Sequence, residues 1–278
     1  MTSVAAAPTV GTLLRDWRQR RRMSQMDLSL EAEVSTRHLS FVETGRSKPS
    51  RELVLHLAEH LDVPLRERNS LLLAAGYAPS YVESPLDAGA MAPVRAALDA
   101  ILAGHEPFPA IVVDRRWDLV TANRPAFTLL AEGVDPALLA PPVNTLRLVL
   151  HPDGLAPRVG NLEEYSAHLL DRLRRQAGAS GDEGLVALHE ELAGYPGVRD
   201  DGPVHASPAD LLFVPLVLRT GSGTLTFFST IATFGTALDI TIAELAIESF
   251  FPADEATSAA LRALATATSA VEPAQVAG

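Results

Sequence analysis

Between Leu13 and Gly76 no periodic run lasts more than about a dozen residues before a capping residue or a breaker stops it. Leu13, Leu14 and Trp17 share one helical face, and the segment runs on into "RQRRR". Ser24 opens "SQMDLSLEAE", which carries Leu28 and Ala32 at i and i+4. The next segment, Ser35–Glu43, places Ser35, Leu39 and Val42 on one side, and Gly45 and Pro49 end it. Ser50 then caps "RELVLHLAEHL", with Leu53, Leu57 and Leu61 at helical spacing, and "LRERNSLLLAAG" closes at Gly76. Helices this short are marginal alone in water and must bury their apolar faces against one another. The pattern therefore predicts a compact five-helix bundle over residues 11–76, with residues 1–10 as a frayed tail.

A different pattern follows. Residues 77–93 hold Pro79, Pro85 and Pro93 with little periodicity, and read as a linker. Beyond it, "AIVVD" and "WDLVTA" read as two strands joined by a tight turn at Asp114–Arg116, with a helix from Arg124. "TLRLVL", "EEYSAHLLDRLRRQ" and "EGLVALHEELA" read as helices. "LLFVPLVLR", "GTLTFFSTIATF" and "IAELAIESFF" read as strands, the first two turning at "TGSG". The expected fold class is α+β: the helical bundle, then a domain at 94–264 with a five-stranded antiparallel sheet and helices inserted midway. Residues 265–278 are expected to be disordered.

Charge divides along the same line. The first 80 residues carry 11 Lys+Arg against 9 Asp+Glu, while the remainder carries 12 against 25. The two halves are thus built for different partners, and the acidic one is a poor surface for nucleic acid. The chain has no cysteine, which excludes disulfide and thiol chemistry and makes a reducing cytoplasm its expected setting. No apolar run approaches the roughly 20 residues needed to span a bilayer, so no membrane partner is expected.

On a wheel at about 100° per residue centred on Leu39, Ser35 and Val42 fall within about 60° and define the buried side. Arg37, Ser40, Phe41 and Thr44 point the other way, with Thr36 on the margin. A guanidinium, hydroxyls and one aromatic ring are the groups that read base edges in a major groove. Arg46, Lys48 and Arg51 follow, flanked by Thr44 and Ser47, and suit phosphate oxygens. A basic segment in an acidic chain is explained if its partner is double-stranded DNA.

These residues carry a resemblance. "MSQMDLSLEAEVSTRHLSFVETGRS" resembles the helix-turn-helix of XRE-type regulators, the phage repressor/Cro class. The resemblance implies that Gln25 contacts a phosphate and that Thr36, Arg37 and Phe41 read bases, with Ser40 on the same face. It places Thr44 and Arg46 on the backbone, with Ser47 and Lys48 beside them, and implies a buried pair between Arg18 and Glu43. Arg37 remains open between a base and a phosphate contact, and His38 lies on the flank, where packing or capping is the commoner role. Glu33 departs from the pattern, because the family usually has Gly in that turn; if the position needs positive φ, Glu costs about 1 kcal/mol there.

The second half resembles the ligand-binding domain of MmyB-like regulators, a PAS-like fold that follows this type of helix-turn-helix. The carrying segments are "VVDRRWDLVTANRPAF", "NTLRLVLHPDGL" and "TFFSTIATFGTALDITIAELAIESFFPADEAT", together with "LSFVETGRSKPSRELVLHLAEHLDVPLRERNSLLLAAGYAP" upstream. The resemblance implies an apolar, fatty-acyl ligand and no other cofactor. From the residues, Trp117, Phe127, Leu146, Phe213, Phe227, Phe228 and Phe234 are candidates to line an apolar cavity, or else form a core. Arg147 and His151, at i and i+4, could hold a carboxylate head group or form a surface pair, and Asn123 could add a hydrogen bond. The expected protein is a transcriptional regulator that binds its operator as a homodimer and responds to a small apolar ligand. A DNA-anchored protein-interaction module is the alternative, and an enzyme fused to a DNA-binding domain is disfavoured.

Two motifs carry less than they suggest. "HLAEH" at His56–His60 fits the H-x-x-E-H pattern of inverted zinc peptidases, but it interleaves with core leucines on a small bundle, so neither metal nor catalytic role is assigned. "TGSGT" at 220–224 lacks nucleophile-loop spacing and reads as a hairpin turn.

Overall fold

The computed structural model describes residues 8–201, 213–221 and 223–269. The chain forms two compact units: one up to Ser84, to which the short segments 178–181 and 236–243 are assigned, and one from Pro85 that holds the rest.

The first unit contains α1 (Val10–Arg20), α2 (Gln25–Glu31), α3 (Thr36–Glu43), α4 (Arg51–His60) and α5 (Leu65–Ala74). Four of the starts are set by hydroxyl caps. Thr9, Ser24, Ser35 and Ser50 each accept a hydrogen bond from a backbone N–H in the first turn, and Asp27 completes a capping box with Ser24. Ser35, expected on the buried face of its helix, is the exposed N-cap instead. Leu14, Trp17, Leu28, Leu39, Leu57 and Leu71 meet in the shared core. α1 and α3 approach closely at Gly11, where a Cβ would lie 2.3 Å from the Val42 carbonyl oxygen. Two expected boundaries shift. Val10 is already helical and buried, so only residues 1–7 of the expected tail remain, and these lie outside the described residues. Tyr77, expected in the linker, packs on the bundle core and donates its hydroxyl to the Pro49 carbonyl at 3.0 Å.

The second unit holds α6 (Ala92–His105), β1 (Ala110–Val113), β2 (Leu119–Ala122), α7 (Arg124–Ala131), α8 (Thr145–Leu150), α9 (Leu162–Ser180) and α10 (Glu183–Ala193). Then come β3 (Leu216–Thr220), β4 (Gly223–Thr233), β5 (Ala246–Pro252) and α12 (Glu255–Ser269), while the short α11 (Ile240–Ala243), between β4 and β5 in sequence, falls in a segment assigned to the first unit. The strands form one antiparallel five-stranded sheet in the order β2-β1-β5-β4-β3. β5, last in sequence, lies between the early and late hairpins and joins them, with Val112 opposite Ile247 and Phe228 opposite Phe251. The pleat sends alternate residues to opposite faces. On one face Ala110, Val112 and Ile247 pack against Leu98 and Leu102 of α6. On the other, Ile111 packs with residues of α7, α8 and α9.

Two differences from the sequence pattern have local causes. "IAELAIESFF" does not begin as a strand: Asp239 accepts from the Thr241 N–H at 2.8 Å and starts the short α11, and the strand begins at Ala246. α12 continues to Ser269, so residues 265–269 of the expected tail are helical, and 270–278 lie outside the described residues.

Candidate functional site

The first candidate surface is the outward side of α3 with the turn after it. Leu39, Val42 and Glu43 are buried, while Thr36, Arg37, His38 and Thr44 are exposed and Ser40 and Phe41 half-buried. The Phe41 ring lies beneath two guanidiniums, with Arg37 Cζ at 5.4 Å and Arg46 Cζ at 5.9 Å from its centroid. Such stacking restrains both arginines by cation–π attraction. Gly45, at φ +73°, turns the chain so that the Arg46 and Ser47 N–H groups both donate to the Phe41 carbonyl, at 2.8 and 3.1 Å. Lys48 sits over the Tyr77 ring at 5.3 Å.

Hydroxyls on this face are partly committed. Ser29 Oγ donates to the Met26 carbonyl at 2.9 Å and lies 2.8 Å from Thr36 Oγ1, so in this arrangement Thr36 donates to Ser29. What remains for a base edge is the Thr36 lone pair and methyl. Thr44 Oγ1 donates to the Ser40 carbonyl at 2.7 Å, a bond it would exchange to hold a phosphate.

Behind this face lies a buried ion pair. Arg18 Nε and Nη2 donate to the two Glu43 oxygens at 2.7 and 2.8 Å, and Nη1 donates to the Met23 carbonyl at 2.8 Å. Gln25 Nε2 donates to Glu43 Oε2 at 2.8 Å, which commits one amide N–H and leaves the other for a phosphate. Burial alone would raise the Glu43 carboxyl, but the Arg18 and Gln25 hydrogen bonds, with the charges of Arg18 and Arg15, hold it below the usual carboxylate range. The same hydrogen bond with Glu43 raises the Arg18 guanidinium. Glu33 does adopt a left-handed backbone, at φ +50°, so the turn takes the geometry for which glycine is ordinarily used.

The second candidate is a cavity of about 70 Å³ inside the second unit, between the sheet and α7, α8 and α9. Of the residues singled out from sequence, Trp117, Leu146 and Phe227 line it. Trp117 holds φ +68°, a strained setting for so large a side chain. Its surroundings impose it: the carbonyl accepts from Thr145 N at 2.8 Å and Oγ1 at 3.0 Å, and Nε1 donates to Gln176 at 2.8 Å.

The other candidates lie elsewhere. Phe228 projects from the opposite sheet face, where it stacks on Phe251 at 5.2 Å and meets Phe213 at 5.4 Å. Phe234 packs with the α6 cluster, and Phe127 is 52% exposed. Asn123 spends its amide internally, accepting from Ala110 N and Ala126 N and donating to the carbonyls of Leu102 and Phe108. Arg147 forms a two-bonded pair with Glu191, both bonds at 2.7 Å, away from the cavity lining. α8 ends at Leu150, because residues before proline favour extended backbone and Pro152 follows. His151 therefore leaves the helix, accepts from Asp153 N at 3.0 Å and packs edge-on against Tyr195.

Sequence reasoning missed Tyr165 of α9 and Glu248 and Phe250 of β5, which also line it. The signal was present in "AIESFFP", where one carboxylate alternates with apolar residues on a central strand. A larger open groove of about 490 Å³ at α7 and α12 has Arg124, Thr128 and Arg262 in its wall among prolines and leucines. Among the described residues no His/Asp/Glu group could hold a metal, and His56 bonds the Ala32 carbonyl at 2.8 Å. No described helix is long and apolar enough to cross a membrane.

Comparison with known proteins agrees with both halves. A helix-turn-helix domain family matches residues 9–71, which defines the first unit as a DNA-binding module of a transcription regulator. The MmyB-like transcription regulator ligand binding domain matches residues 94–264, well over half of the chain, and the protein belongs to that family. A search of curated proteins returns no match.

Proposed function

We propose that this regulator binds a specific operator as a homodimer through α3 and that an apolar, fatty-acyl ligand in the second unit modulates the binding. The observation that carries the DNA reading is the set of Arg37 and Phe41 on the outward side of a helix whose other side is core, with Arg46 of the following turn stacked on the same ring. Thr36, Arg37, Ser40 and Phe41 are the base readers, and Gln25, Thr44, Arg46, Ser47 and Lys48 hold phosphates. A dimer would address two half-sites about one helical turn apart.

The cavity supports the ligand reading because its walls are almost wholly apolar. At about 70 Å³ it is smaller than the ~150 Å³ that accommodates benzene in an engineered protein core. An acyl chain must therefore widen it, and a ligand that binds the widened form shifts the population toward it. If widened and closed forms differ in operator affinity, the coupling expected is about 1–3 kcal/mol.

Selection of binding sites from random duplexes tests the DNA assignment. Arg37→Ala should relax preference at one base position while leaving the others; uniform weakening on every sequence would make Arg37 a phosphate contact only.

A further inference from the structure

Beyond residue 80 the chain carries 12 Lys+Arg against 25 Asp+Glu, yet the groove between α7 and α12 gathers Arg124 and Arg262, each the one basic residue of its helix. Thr128 and Thr266 follow at i+4 and present hydroxyls along the same two faces. Among the described residues Glu106 is the one acidic group in the wall, so the arginines leave the groove positive. The Arg262 guanidinium lies against the Phe108 ring, with Cζ 5.7 Å from the centroid, and its Nε donates to Ser258 Oγ at 3.4 Å. At about 490 Å³ the groove has the size of a small-molecule site, which the cavity of about 70 Å³ does not. Leu129, 8% exposed, lines both spaces. It packs in one cluster with Leu261 of the groove wall and with Leu218 and Phe227 of the cavity wall. Its carbonyl accepts from Arg158 Nη1 at 3.2 Å, which holds the backbone and leaves the side chain as the movable part.

We propose that this groove holds the carboxylate of the fatty-acyl ligand, at Arg262 and Arg124, while the acyl tail passes Leu129 into the cavity. The inference rests on the reading of that cavity as the ligand site and adds the direction in which the ligand lies. The reverse direction is disfavoured by the walls. Inside the cavity a carboxylate would find almost wholly apolar surface and the carboxylate of Glu248, whose counter-charge Arg172 lies 3.7 Å from it. Burying a charge without partners is far more costly than burying methylenes. In the open groove the head keeps water on one side and accepts charge-assisted hydrogen bonds from guanidiniums on the other. The tail then takes the dry space, where each buried methylene tightens binding about fourfold. Swinging the Leu129 side chain joins the two spaces, which supplies the widening that an acyl chain requires.

The test is titration of the full chain with dodecanoate and with dodecanol, which share one aliphatic body. Arg262→Gln and Arg124→Gln, both at exposed positions, should each weaken dodecanoate about two- to fivefold, the effect of one solvent-exposed ion pair. Both should leave dodecanol unchanged, and the loss should shrink at high salt. The direction is read from tryptophan emission, because bromine quenches only at close range and Trp117 lines the cavity while Trp17, 3% exposed, sits in the core of the first unit. Dodecanoate brominated at its last carbon should quench Trp117, and dodecanoate brominated beside the carboxylate should not. Stronger quenching by the second compound, or equal quenching by both, would overturn the proposal while leaving the cavity a ligand site. An unchanged dodecanoate affinity in the double arginine variant would do the same. Binding of neither dodecanoate nor dodecanol would remove the fatty-acyl reading of the cavity itself.

Discussion

Glu43→Ala is the most demanding perturbation of the DNA-binding unit. Glu43 is 4% exposed and accepts three hydrogen bonds, two from Arg18 and one from Gln25. Its removal leaves a guanidinium that is itself 8% exposed with only the Met23 carbonyl as partner. An uncompensated buried charge of this kind costs about 3–5 kcal/mol, a large part of the roughly 5–15 kcal/mol that holds a folded domain together. Urea denaturation of the full chain, followed by circular dichroism, should show an early transition for the first unit shifted to much lower denaturant. Replacing both partners, as Arg18→Met with Glu43→Leu, should recover most of the loss, because a packed apolar pair often equals a buried ion pair. The pair also has a pH signature. The folded Glu43 carboxyl lies below its unfolded value, so its contribution is present above the ordinary carboxylate range and is lost as pH falls through the depressed value. A loss under about 1 kcal/mol in the single variant, or an equal loss in the double variant, would refute the reasoning from burial and desolvation.

Further outcomes follow from single positions. Glu33→Gly should stabilise the first unit by about 1 kcal/mol, seen as a higher melting temperature, since the residue holds φ +50° and glycine adopts that backbone without strain. Gly11→Ala should destabilise the same unit, because the new Cβ would lie 2.3 Å from the Val42 carbonyl oxygen; an unchanged urea midpoint would contradict the close α1–α3 approach. Arg46→Ala should lower the slope of log affinity against log salt by about one, as expected for one lost phosphate contact.

How far these features could be read from the sequence depends on what each required. The exposed side of α3 was legible because helical period and capping residues are local: once Leu39 and Val42 face the core, Arg37 and Phe41 must face out. Glu33 was legible as a departure from a motif, and the left-handed backbone there explains why glycine usually occupies it. The cavity was only partly legible because its lining depends on strand register. Phe227 and Phe228 are adjacent and equally aromatic, yet the pleat sends one into the cavity and the other to the far face. Helical spacing misled at Arg147 and His151, where Pro152 ends the helix before His151 and Glu191, distant in sequence, takes the arginine. Glu248 and Tyr165 line one cavity only because β5 inserts beside β1 and α9 covers that face, an arrangement no local pattern records.

The central claim is that α3 reads sequence in a duplex. Fluorescence anisotropy with duplex from the protein's own promoter and a scrambled duplex of equal length and composition, at physiological salt, addresses it directly. The account predicts a preference for the promoter of about a thousandfold or more, in either the ligand-free or the ligand-loaded form. Equal affinity for both duplexes in both forms would contradict it.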